Sequence, residues 1–223
     1  MIAKAPTRFL VAGMGDALST YFEARATHNS YSRVNASLPM GSLDGSTPPA
    51  SGTYAALAMA KLCWEHLQED GLNAKIACDA NVVTESLNKI VETNILLSGL
   101  GFESGGLAAA HAIHNGMTVL PGTHHYLHGE KVAFATLAQL VLEDAETAEL
   151  HAVLDFMAAI GLPLTLADLG VPSITFEEAL EVAKIASIPE ESIHSMPFSI
   201  VVEEVANAII VADRIGQAYK DSH

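Results

Sequence analysis

Gly101 to Lys131 reads GFESGGLAAAHAIHNGMTVLPGTHHYLHGEK. Five of the ten histidines fall here: His111, His114, His124, His125 and His128. A glycine pair, Gly105-Gly106, precedes an alanine-rich run, and alanine is the strongest helix former. The run predicts a helix over 107–120 that Pro121-Gly122 breaks, with a second helix beginning at His128. Small residues let such helices pack closely, and the imidazoles then line their contact. His111 and His114 stand three apart and share a helix face. A turn between the two helices can bring His128 beside His111.

Outward from this stretch, helical periodicity recurs and strand alternation does not. Helices are expected over 7–26, 53–70, 72–83 and 85–99, with Thr84 as an N-cap. After the central pair they are expected over 128–144, 148–160 and, briefly, 164–169. A capping box of Thr175 and Glu178 opens a helix over 176–187, and 199–221 closes the chain. Residues 27–52, rich in Ser, Pro, Gly and Asn, read as a long loop. No βαβ alternation and no internal repeat occurs. The expected fold is all-α, a multi-helix bundle, with residues 1–223 as a single helical metal-binding domain.

Composition agrees. Half the residues are apolar and only 6% are aromatic, so alanine and leucine carry the packing, as in close helix bundles. The formal charge of −15 argues against nucleic acid, because phosphate binding needs an excess of Lys and Arg. No apolar run is long enough for a membrane helix. The opening MIAKAPTRFL is too quickly polar for a signal peptide. Cys63 and Cys78 lie in apolar helical patterns and read as reduced core residues of a cytoplasmic protein.

Two histidines and a carboxylate are a common set for a catalytic divalent metal with one position left open. Spacing does not choose the carboxylate: Asp16, Glu103 and Glu130 are all candidates. Glu130, two residues after His128, should point away on a helix. Gly13-x-Gly15 and Gly99-x-Gly101 lack a third glycine and a preceding strand, so they read as packing glycines rather than a nucleotide loop. Ser104 does not sit in a nucleophile elbow. His124 and His125 read as solvated loop residues.

FESGGLAAAHAIHNG (102–116) followed by HHYLHGEKVAF (124–134) resembles the NAD-dependent glycerol dehydrogenases, within the iron-containing alcohol dehydrogenase superfamily. RFLVAGMGDALSTYFEARA (8–26), ALAMAKLCWEHL (56–67) and AIGLPLTLADLG (159–170) extend the resemblance over nearly the whole chain. It implies the helical C-terminal domain of a dehydroquinate-synthase-like fold, binding one Zn2+ through Asp16, His111 and His128. It places Phe102 at the glycerol pocket and His114 toward nicotinamide and substrate, as a candidate catalytic proton relay. Glycerol or a related vicinal diol is the implied substrate, oxidised to dihydroxyacetone with NAD. The implied partners are the nucleotide-binding half, which has no counterpart here, and further copies in a homo-oligomer. The isolated chain is expected to be inactive. Residues 27–52 are longer than the family's usual link. Two other readings stay open: a non-catalytic zinc-binding helical module, and a zinc hydrolase using Glu103 as base.

Overall fold

The computed structural model describes residues 2–34 and 51–223, and among them there is no strand, only an isolated bridge between Arg33 and Ser51. Nine α-helices carry the described chain: α1 (Thr7–Ser30), α2 (Tyr54–Asp79), α3 (Glu85–Glu92), α4 (Ser98–Gly105), α5 (Ala109–Gly116), α6 (His128–Leu142), α7 (Thr147–Ile160), α8 (Phe176–Ala186) and α9 (Val202–Ser222). The expected all-α bundle is what forms. No helix among the described residues is long and apolar enough to cross a membrane.

The caps explain several boundaries. Thr53, Thr84 and Thr175 each accept a backbone N–H from the first turn of the helix they open, and Glu178 returns the bond to Thr175. Helix α1 runs past Ala26 to Ser30 and stops where Tyr31 turns left-handed, so the expected loop at 27–52 begins too early. The rest of that loop, 35–50, lies outside the described residues.

Two further boundaries differ for physical reasons. Helices expected at 53–70 and 72–83 are one helix, because Gly71 is a notch and not a stop: a Cβ there would meet Phe156 Cε2 at 2.8 Å. The helix expected over 85–99 continues to Gly105 through a π-helical segment, Thr93–Leu97. In that segment the Thr93 hydroxyl donates to the Lys89 carbonyl at 2.8 Å. Past this wider turn Ser98 faces α1, its hydroxyl 3.0 Å from that of Thr20, and Phe102 lines a cavity with Asp16 and Ser19. The central helix expected over 107–120 is α-helical only over Ala109–Gly116, and short 3-10 turns succeed it.

The core is one cluster with α1 and α6 through its middle. Phe22, Trp64 and Phe156 join α1, α2 and α7, with successive ring centroids 5.6 Å apart, the first pair tilted and the second edge to face. Cys63 and Cys78 are free and buried, and burial pushes the Cys63 thiol up to about 12. The contact that matters for the site is glycine on glycine. A Cβ on Gly129 would lie 1.8 Å from the Ala12 carbonyl oxygen, and one on Gly15 would lie 2.4 Å from the Gly129 carbonyl oxygen. Only bare backbone lets α6 start this close to α1. That approach sets His128 beside Asp16.

Candidate metal centre

Asp16 projects from the middle of α1, His111 from the first turn of α5 and His128 from the first residue of α6. Their ligand atoms all lie within 4.8 Å of one another. Asp16 Oδ1 sits 3.4 Å from His111 Nε2 and 3.2 Å from His128 Nε2. Oδ1 is shut off from solvent and no hydrogen bond reaches it, although both imidazoles stand at ion-pairing distance. A buried anionic oxygen needs a proton or a cation facing it, and the space between these three side chains offers a place for either. Ligands about 2.0–2.1 Å from a tetrahedral zinc lie about 3.3–3.4 Å apart along each edge. The separations of 3.2 and 3.4 Å lie close to that length, so the donor set fits a zinc-sized divalent ion. His128 is half exposed, which leaves the centre open on one side.

Behind His111 stands a residue that sequence reasoning missed. Glu23 is fully buried on α1, and its Oε2 accepts from His111 Nδ1 at 2.6 Å. Its Oε1 accepts from the backbone N–H groups of Ala108 and His111 at 2.9 and 3.0 Å, so the same carboxylate closes the start of α5. Seven residues after Asp16, Glu23 lies two turns along the same face. The available signal was a second acid at heptad distance from Asp16, on a helix stripe that also carries Ser19, Thr20 and Thr27. The turn into α5 needs Gly106, whose φ is +90° and where a Cβ would meet Thr27 Cγ2 at 2.7 Å.

Burial alone would push Asp16 up, but the two imidazoles override it and hold the carboxyl well below the usual carboxylate range. Burial lowers His111, yet Glu23 and Asp16 together raise it to about 10. Without a cation His111 therefore holds its proton between two carboxylates. Burial and the nearby His128 push His114 down to about 4, so its imidazole is neutral.

His114 lies outside the triad but touches it: its ring stands edge-on to His128 with centroids 4.3 Å apart. Phe102 lies near-parallel to His111 at 6.5 Å and lines the cavity in front of the triad. That cavity, about 340 Å³, also has Ser19, Asn94 and Ser98 in its wall. Asn94, hidden in the apolar run TNILL, was not anticipated; its Oδ1 is buried and without a partner.

The other carboxylates fall away. Glu130 turns to Arg8, at 2.6 and 2.7 Å, and accepts from the Leu127 N–H. Glu103 is exposed and is not part of the cavity wall. His124 and His125 are exposed, His124 bonding to the Thr118 carbonyl at 2.9 Å. Gly15 packs as expected, whereas a Cβ on Gly99 would meet nothing, and Gly99 lines the cavity. A larger, more open depression of about 850 Å³ is lined by Arg8, His125, Tyr126 and Lys220. Its cations already pair, Arg8 with Glu130 and Lys220 with Asp168, and among the described residues the metal-ligating cluster lies in the smaller cavity.

No family model matches the chain. Individual relatives do. The chain is 49% identical over 219 residues to the glycerol dehydrogenase of Citrobacter freundii, covering 98% of this chain and 57% of that protein. It superposes on the crystal structure of glycerol dehydrogenase from Schizosaccharomyces pombe with a TM-score of 0.90 at 40% identity, over 99% of this chain and 54% of that one. The structure of a probable glycerol dehydrogenase from Sinorhizobium meliloti gives 0.88 at 42% identity, over 97% and 57%. The chain thus spans little more than half the length of the relatives it matches, and corresponds to their C-terminal helical part.

Proposed function

We propose that this chain, a relative of the glycerol dehydrogenases over their helical part, is the zinc-binding catalytic half of such an enzyme, which oxidises glycerol to dihydroxyacetone with NAD. One observation carries the reading: Asp16 Oδ1 is buried, unbonded, and flanked at 3.2 and 3.4 Å by two imidazole nitrogens. When held by Asp16, His111 and His128, zinc supplies Lewis acidity that makes a nearby hydroxyl easier to deprotonate.

The chain's own residues do the rest. Glu23 fixes the His111 ring through its Nδ1. Phe102 gives the carbon chain of a small polyol an apolar wall. Ser19 Oγ, which donates to the Asp16 carbonyl at 3.0 Å, keeps lone pairs to accept from a substrate hydroxyl, and Asn94 adds an amide to the same wall. The cavity, about 340 Å³, suits a three-carbon diol or triol. His114 stands behind His128, and with a pKa of about 4 it is a weak proton acceptor. The substrate proton therefore leaves through the solvent side of the centre, with the His114 relay as the lesser path.

Hydride transfer needs donor carbon and acceptor held about 3–3.5 Å apart. Among the described residues no strand-to-helix glycine turn offers a pyrophosphate cradle. The reading therefore assigns NAD binding to a nucleotide-binding half and holds that this chain alone does not turn over. An apolar groove next to the site, lined by Ile2, Phe9, Leu10 and Ile95, supports a further polypeptide on that side. A homo-oligomer and a cytoplasmic site of action belong to the same reading.

The hydrolase alternative loses its base, since Glu103 is exposed and outside the cavity wall. The non-catalytic module shares the metal site and differs only in NAD-linked turnover. The test is NADH formation from glycerol and NAD by this chain, alone and mixed with a separately produced NAD-binding half of a relative. Activity only in the mixture, lost in Asp16→Ala, is expected. Activity of the chain alone, or none in a mixture shown to associate, would overturn the reading.

A further inference from the structure

His128 has a supporting chain of its own, and its polarity can be read from one end to the other. It starts at Glu191, just before the short turn Ser192–Ser195. The Ser192 hydroxyl donates to the Ala108 carbonyl at 2.7 Å, which ties that turn to the start of α5. Glu191 offers both carboxylate oxygens to Asn115 Nδ2, each at 3.1 Å. A carboxylate can only accept, so the amide nitrogen must face it and Asn115 Oδ1 must face the other way. There Oδ1 meets His114 Nδ1 at 3.1 Å. An amide oxygen also only accepts, so His114 carries its proton on Nδ1 and leaves Nε2 bare. His114 Nε2 lies 3.2 Å from His128 Nδ1. The proton of that bond therefore belongs to His128 Nδ1. A neutral His128 then keeps its lone pair on Nε2, 3.2 Å from Asp16 Oδ1.

We infer that Glu191, Asn115 and His114 form a relay of positioning residues that holds His128 in the tautomer whose Nε2 can ligate a divalent cation. For His111 one buried carboxylate, Glu23, holds the proton on Nδ1, so that loss of the Nε2 proton leaves the same tautomer. His128 reaches it through two neutral groups ending in a carboxylate at the surface. His128 opens α6 on the exposed side of the centre, and among the described residues its Nδ1 faces His114 Nε2 rather than a buried acid. His114 is thus assigned a supporting role, distinct from the transfer of a substrate proton. Outer partners of ligating histidines fix ring orientation, and their loss lowers metal affinity about 10–100-fold.

The inference rests on the zinc reading of Asp16, His111 and His128, and the experiment separates the two. The full chain is labelled with 15N-histidine, stripped of metal, and its ring nitrogens are read by long-range 1H–15N correlation at pH 8. Zinc affinity is measured in parallel by competition with a chromophoric chelator. His114 should show a protonated Nδ1 and a bare Nε2, whether or not zinc binds; protonation at Nε2 would overturn the relay. His114→Leu should weaken zinc binding about tenfold or more, and Asn115→Leu and Glu191→Ala should each weaken it by less. His114→Gln, which returns an acceptor near the Nε2 position, should recover most of the affinity. A folding defect would weaken both His114 variants alike, so equal weakening in Leu and Gln would overturn the positioning role, as would unchanged affinity in His114→Leu. If Asp16→Ala binds zinc as the wild type does, the metal reading fails, and the histidine spectra still decide the relay.

Discussion

His111 donates its Nδ1 proton to Glu23 Oε2 across 2.6 Å, and the accepting carboxylate is wholly buried. The pair ties the candidate metal centre to the bundle core, because Glu23 also holds the first backbone N–H groups of α5. Stability and metal affinity should therefore respond together to changes at Glu23.

Glu23→Ala leaves two backbone donors and an imidazole buried without their partner. It should destabilise the metal-free chain by about 3–5 kcal/mol in urea unfolding. Glu23→Gln keeps an acceptor oxygen and should fold better, yet bind zinc about 10–100-fold more weakly. Unchanged zinc affinity in the glutamine variant would show that the buried carboxylate does not tune His111.

The raised His111 pKa gives a pH signature. Its stabilising contribution to the metal-free chain is fully present below the unfolded value of about 6.5, and it is lost as pH rises through about 10. Metal affinity runs the other way, since zinc must displace the proton from His111 Nε2. At pH 8 binding should release about one proton per ion, read by calorimetry in buffers of different ionisation heat. A metal-free stability that is flat from pH 7 to 10 would contradict the Glu23–His111–Asp16 arrangement, and so would zinc binding without proton release.

The glycine contact between α1 and α6 gives a mechanical test. Gly129→Ala puts a Cβ 1.8 Å from the Ala12 carbonyl oxygen and should cost about 3 kcal/mol as the helices separate. Gly99→Ala, in α4 with nothing near its Cβ, should stabilise by about 1 kcal/mol. Equal effects of the two in denaturant unfolding would show that the close crossing is not what seats His128.

Much of this was legible in the residues. Alanine-rich periodicity and threonine caps located the helices, because those signals are local. His111 and His128 could be paired from one short stretch. Asp16 could not be chosen on spacing, since it comes from a distant helix and only the bundle brings it near; the resemblance singled it out. Gly71 was misread because a packing notch and a helix stop share one residue type. Glu23 and Asn115 were missed because their meaning lies in what they face, and the π-helical turn was hidden in the ordinary apolar run TNILL.

The most direct measurement is the zinc content of the purified chain, loaded with zinc, washed free of excess, and compared with Asp16→Ala, His111→Ala and His128→Ala. The account predicts one zinc per folded wild-type chain and none retained by the three variants while their helical circular dichroism persists. A folded wild type that holds no zinc, or a zinc ion that survives all three substitutions, would contradict it.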